Sequence, residues 1–223
     1  MIRCCVTIAA LAVFAAVTQR AEAGAWPRET GQSFASVSVE SPLYGFGGGR
    51  YASLYYEYGL TERATLGLDM GRDDQTGEVS AILFLRQPLG ATAGRNLWAF
   101  ELGAGVTGSG GLATLTLRPG LSWGRGYQAA WASGWMGVES TYAMRLDGST
   151  LGKVDATFGV SHRNGSLTML KVQYEKPSGQ SGSIAIAPSV ALKLGRRGFL
   201  ELGLRHRLQD RSTLAKVGIW IAF

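Results

Sequence analysis

Past residue 32 the chain alternates apolar and polar residues at every second position, run after run, with clusters of Gly, Asp, Asn, Ser or Arg between the runs. Period two is the spacing of the two faces of a β-strand; a helix repeats its face every 3.6 residues and cannot carry this pattern. Twelve runs are readable, at 33–41, 50–59, 64–72, 78–87, 97–106, 112–123, 134–145, 153–162, 167–175, 183–194, 199–207 and 213–223. Most suit a tilted strand that crosses the hydrocarbon layer, which needs about 9–11 residues. Strands of soluble domains are shorter, at about 5–6 residues. The pattern predicts an all-β transmembrane antiparallel up-and-down β-barrel of twelve strands, with both termini periplasmic.

The two faces differ in kind. Run 97–106 sets Trp98, Phe100, Leu102, Ala104 and Val106 against Ala99, Glu101, Gly103 and Gly105. Run 153–162 sets Val154, Ala156, Phe158 and Val160 against Lys153, Asp155, Thr157 and Ser161. Phased in this way, the polar face collects Glu57, Asp69, Arg86, Glu101, Arg118, Glu139, Arg145, Lys153, Asp155, Lys171, Glu175, Lys193, Glu201, Arg205 and Lys216. The runs are expected to keep their apolar face free of charge. An ionic side chain on the lipid face at mid-bilayer costs about 2–4 kcal/mol, and one in the lumen avoids that cost. The polar face is otherwise Gly, Ala, Ser and Thr, which suits the crowded inside of a narrow barrel and not the water-facing side of a sandwich. These residues are the expected lumen-lining charges, and their signs nearly balance. Tyr58, Trp98, Trp123 and Phe223 take the lipid-facing phase near one set of strand ends, as an aromatic girdle would. Pro119 and Pro188 fall inside runs, where each is expected to mark a bulge or a misplaced boundary.

Residues 1–23 read as a removed signal peptide. Arg3 gives a positive start, Val6 to Val17 an apolar run too short to span a bilayer, and Ala21-Glu22-Ala23 small residues before a cut at Gly24. Residues 24–223 are then the barrel. Cys4 and Cys5 are the only cysteines, so the mature chain is expected to hold no disulfide, thiolate nucleophile or cysteine metal ligand. The net charge of +6 is spread along the chain, which gives no argument for nucleic acid.

The last run, Lys216-Val217-Gly218-Ile219-Trp220-Ile221-Ala222-Phe223, ends on a terminal aromatic. With Trp220 and Phe223 it resembles the assembly signal of bacterial outer-membrane β-barrel proteins. The resemblance implies the outer membrane of a Gram-negative bacterium as location and the barrel-assembly machinery as partner, with membrane lipid and lipopolysaccharide around the barrel. Gly24-Ala25-Trp26-Pro27 and Tyr58-Gly59-Leu60-Thr61-Glu62-Arg63 look like an uncharacterised proteobacterial barrel family. That family brings no catalytic residues.

No constellation predicts chemistry. His162-Arg163-Asn164-Gly165-Ser166 departs from the His-x-Ser-Asn pattern of outer-membrane lipid hydrolases and reads as a hairpin turn. His206, between Arg205 and Arg207, lacks a partner base or acid and faces lipopolysaccharide or water. Asp73-Asp74 falls far short of a calcium loop. No cofactor, metal or catalytic residue is expected. The expected function is a narrow channel or passive transporter for small solutes. The alternatives are a non-transporting structural or binding barrel and, more remotely, a lipid-modifying enzyme.

Overall fold

The structure is a computed structural model, described for residues 24–43, 49–90, 92, 94–129 and 132–223. The leader assigned to residues 1–23 lies outside the described residues.

Twelve strands form: β1 (Ser33–Pro42), β2 (Tyr51–Thr61), β3 (Ala64–Asp73), β4 (Val79–Pro88), β5 (Leu97–Ser109), β6 (Leu112–Gln128), β7 (Ser133–Arg145), β8 (Thr150–Ser161), β9 (Leu167–Pro177), β10 (Ser183–Leu194), β11 (Gly198–Arg207) and β12 (Thr213–Ala222). Each pairs antiparallel with its sequence neighbours, and β1 closes on β12 from Phe34↔Ala222 to Pro42↔Leu214. Closure leaves no unpaired sheet edge, the condition for a sheet to sit in lipid.

The outward face is apolar and the inward face polar, in the predicted phase. On β5, Trp98, Phe100, Leu102 and Val106 are exposed, while Ala99, Glu101 and Thr107 are buried. The same outward face carries Val37 and Val39 on β1, Leu83 and Leu85 on β4, Leu115, Leu117 and Leu121 on β6, and Val217, Ile219 and Ile221 on β12. A continuous apolar surface of this extent would aggregate in water and is stable against lipid. Three cations break the rule. Arg72 at the end of β3, Arg125 near the end of β6 and Lys176 near the end of β9 take the outward phase. All lie at rims, where a long cationic side chain reaches the headgroup layer.

Sequence and structure differ in three further places. Neither proline marks a bulge or a boundary. Pairing of β6 with β7 skips Pro119 and resumes in the same register, Leu117↔Met144 before it and Gly120↔Thr141 after it. Pairing of β10 with β11 skips Pro188 in the same way, between Ile186↔His206 and Ser189↔Gly203. In antiparallel pairing a residue's N–H and C=O point to one neighbour only. Each proline still pairs on its other side, with Leu102 and Leu170. Second, the hairpin of β5 and β6 is longer than its alternation: β5 runs on to Ser109 and β6 to Gln128. Glycines at 108, 124 and 126 and the outward Arg125 obscured the pattern there. Third, residues 24–32, which lie before the first run, are built into the barrel. They turn into the barrel, Gly31 N donating to the Gly59 carbonyl at 2.8 Å and Gly59 N to that of Gln32 at 3.0 Å.

Candidate functional site

The inward face brings most of the predicted charges into two networks. The first lies on β2 to β6. Arg28, from the N-terminal segment, donates from Nε to Glu57 Oε2 at 2.5 Å. The other Glu57 oxygen accepts from Arg86 Nη1 and from the Tyr55 hydroxyl, the latter at 2.6 Å. Arg86 Nη2 reaches Glu101 Oε2 at 2.7 Å. Arg118 bridges Glu101 at 3.1 Å and Asp69 at 2.5 Å. The result is an alternating chain Arg28–Glu57–Arg86–Glu101–Arg118–Asp69. Its middle is dry: the side chains of Glu57 and Arg86 keep 2% and 5% of their surface. Phe84 is the apolar backing, stacked on Tyr55 at 5.7 Å with the Arg86 guanidinium 5.0 Å from its ring centre. Gly67 makes room for that ring, because a Cβ there would overlap Phe84.

The second network lies on β8 to β12 with β1. Lys153 meets Glu175 at 3.2 Å, and Arg205 lies 3.5 Å from Glu175 and 3.7 Å from Glu40. Arg205 Nε donates to Gln173 at 3.0 Å, whose amide nitrogen donates to Asp155 at 3.3 Å. Lys171 sits 3.8 Å from Asp155. Lys216 pairs with Glu201 at 2.9 Å, and Trp220 Nε1 donates to the same carboxylate at 3.1 Å. Here the charges border open space inside the barrel: Lys153 and Lys171 keep 42% and 38% of their surface.

The remaining predicted residues stand apart. Arg145 pairs with Glu78 at 2.8 Å at the loop end opposite the termini. Glu139 faces inward between Ser122 and Asp155 in the strand register. Trp220 points into the lumen, while Phe223 is exposed on the outer face.

The sequence reading passed over the N-terminal segment. Trp26 packs against Gly124 and joins Trp135, Leu167, Met169, Ala191, Phe199 and Trp220 in an apolar cluster. The Arg28 guanidinium lies 4.6 Å from the centre of the Phe34 ring, and its backbone N–H donates to Thr65 Oγ1 at 3.1 Å. The available signal was Trp26-Pro27-Arg28, an aromatic and a cation with no strand to belong to. Glu40 and Tyr55 were also missed, though both fall on the polar phase.

Both histidines meet threonine hydroxyls. His162 Nε2 lies 2.8 Å from Thr168 Oγ1, in a turn closed by Gly165 N on the His162 carbonyl. His206 Nδ1 lies 2.9 Å from Thr213 Oγ1. Among the described residues, no cluster of His, Cys, Asp and Glu could hold a metal ion. An apolar groove of about 730 Å³, lined by Phe100, Leu121, Tyr142, Val154 and Tyr174, lies on the lipid face and is no part of the lumen.

The barrel matches solved structures over nearly their whole length. A KdgM porin aligns with TM-score 0.59 at 11% identity, covering 85% of this chain and 99% of that one. The chain has the fold of an outer-membrane porin. A KdgM porin in complex with disordered oligogalacturonate gives TM-score 0.60 at 10% identity, with 85% and 99% covered. An outer membrane channel from Pseudomonas putida F1 gives 0.59 at 9% identity, covering 89% and 98%. No family model and no curated protein matches the sequence. At these identities the likeness is one of fold.

Proposed function

We propose that the protein is a narrow outer-membrane channel for small hydrophilic solutes, with both termini on the periplasmic side. The observation that carries this is the wet second network. Side chains that point into a closed barrel and still keep a quarter to two-fifths of their surface border a space wide enough to admit water. Lysines and carboxylates alternate there, so the passage offers both signs and no single-sign ring. Such a lining selects weakly by charge and mainly by size. The porin fold supports the reading. The uronate ligand of one matched porin does not carry over, because an acidic oligomer calls for a lining of one sign.

No enzymatic role is assigned: among the described residues each histidine meets a threonine hydroxyl, and neither has a carboxylate within hydrogen-bond distance to orient it. Membrane lipid and lipopolysaccharide would cover the apolar belt. The barrel-assembly machinery would take up the strand ending in Phe223. The likeness of the Gly24–Pro27 and Tyr58–Arg63 segments to an uncharacterised proteobacterial barrel family fits this placement. A non-transporting structural barrel is favoured by one observation, the dry ion-paired wall that residues 24–32 help to close.

Planar bilayers separate the two. The folded protein, identified by heat-modifiable gel migration, is expected to give discrete small conductance steps with a cation-to-anion permeability ratio near unity. Removing residues 24–32 is expected to raise the step several-fold. Silent bilayers from both folded forms would establish the structural reading.

A further inference from the structure

The N-terminal segment ends against Glu139, a strand carboxylate in the lumen that joins neither network. Among the described residues, no donor lies within hydrogen-bond or ion-pair distance of its oxygens. What packs on it is Gly24: a Cβ at that position would lie 2.5 Å from Glu139 Oε1. The next residue, Ala25, is buried, and Trp26 and Arg28 fix the segment on both sides of the lumen. Gly24 is also the residue that follows Ala21-Glu22-Ala23, where the sequence predicts removal of the leader.

We infer that leader removal creates the missing partner: the new α-ammonium of Gly24 pairs with Glu139 and pins residues 24–32 inside the barrel. In the cut, a leader peptidase adds water across the Ala23–Gly24 amide. The C–N bond breaks, the hydroxyl goes to the Ala23 carbonyl carbon and a proton to the Gly24 nitrogen. The new acid then passes its proton to the amine, leaving a carboxylate on the leader and an ammonium on the barrel. The charged groups around Glu139 are Lys171 and Arg86, which attract it, and Asp155 and Glu57, which repel it. Asp155 is its direct partner on β8. An added cation therefore answers an acid already crowded by another. The geometry also restricts residue 24, because any side chain there would displace the carboxylate. The inference rests on the barrel's orientation of its N-terminus into the lumen and not on conduction.

The test reads the amine itself. Mature protein is taken from outer membranes and sequenced from its N-terminus, which is expected to be Gly24. The α-amine is then titrated by trace acylation in the folded barrel and in the heat-unfolded chain. Its ordinary pKa is about 8. In the folded protein it is expected to rise by about one unit or more, with acylation at pH 8 slowed about fivefold or more. Glu139→Gln is expected to abolish both effects in a barrel that still shows heat-modifiable migration. A chain with one alanine added before Gly24 should lose them too, and it decides the matter if E139Q does not fold. A mature terminus other than Gly24, or an amine that titrates alike in wild type and variant, overturns the inference. Neither readout depends on whether the barrel conducts.

Discussion

Two walls of one lumen hold their charges differently. On β2 to β6 the cations are arginines, each bridging two acceptors at hydrogen-bond distance, and the middle of the chain is closed to water. On β8 and β9 they are lysines, at 3.2 and 3.8 Å from single carboxylates, with much of their surface wet. The side chains suit their walls. A guanidinium is planar, carries five donors and sheds water readily, so it can serve two carboxylates in a dry place. An ammonium is a compact, strongly hydrated point charge, suited to a wet lining. One wall is therefore built as structure and the other as lining, although both show the same alternation in sequence.

The largest effect should come from breaking the dry wall at its centre. Arg86 touches Glu57, Glu101 and Tyr55. Arg86→Met leaves two buried carboxylates short of a donor, which costs about 3–5 kcal/mol when one member of a buried pair is removed. Urea unfolding in detergent micelles, followed by gel mobility, is expected to show that loss. A loss below about 1 kcal/mol would mean that water reaches this wall as well and that the two are alike. A second variant tests the backing. Phe84→Ala is expected to cost about 3–5 kcal/mol through the cavity it leaves, with the ion pairs intact.

How much of this the sequence carries depends on the distance over which each feature is encoded. Strand positions are local: Trp98 to Val106 shows its own two faces, and β5 starts where the alternation starts. Which charges lie inside is equally local, since one lipid-facing neighbour fixes the phase. Pairing is not local. The dry chain takes Glu57 from β2, Asp69 from β3, Arg86 from β4, Glu101 from β5 and Arg118 from β6, so it exists only once four registers are set. Residues 24–32 were least legible of all, because a segment that fills a lumen has no periodic face to show. The prolines misled for a related reason. The rule against proline in a central strand assumes that both neighbours need its N–H, and only one does.

The wet wall should respond in the opposite way, little in stability and more in transport. Lys153→Met and Lys171→Met each remove a partly hydrated pair, and such pairs contribute about 0–1 kcal/mol. The unfolding midpoint is expected to move little. The double variant should shift ion selectivity toward cations, because Asp155 and Glu175 remain with fewer counter-charges. Reversal potentials in a salt gradient measure this. Unchanged selectivity beside a large loss of stability would exchange the roles of the two walls.

The smallest effect lies outside the membrane and marks the end of the series. In the turn between β11 and β12, Asp210 accepts from Ser212 N at 3.0 Å, from the Ser212 hydroxyl at 2.7 Å and from Arg207 Nη1 at 2.9 Å. The Ser212 bonds first, and then Arg207, hold its carboxyl down from 3.8 to about 2. A lowered acid favours the folded turn at every pH above its unfolded value, and the gain fades as pH falls through about 2. The turn also holds Arg211 at φ 55°, the only described residue besides glycine in that region. Protonating Asp210 should therefore loosen Arg211 first, without touching either wall. Carboxyl NMR in micelles is expected to find this titration near about 2, with the barrel's heat-modifiable migration unchanged. A turn that titrates together with loss of the barrel would show that rim and lumen charges are one network, and the division between dry and wet walls would then have to be redrawn.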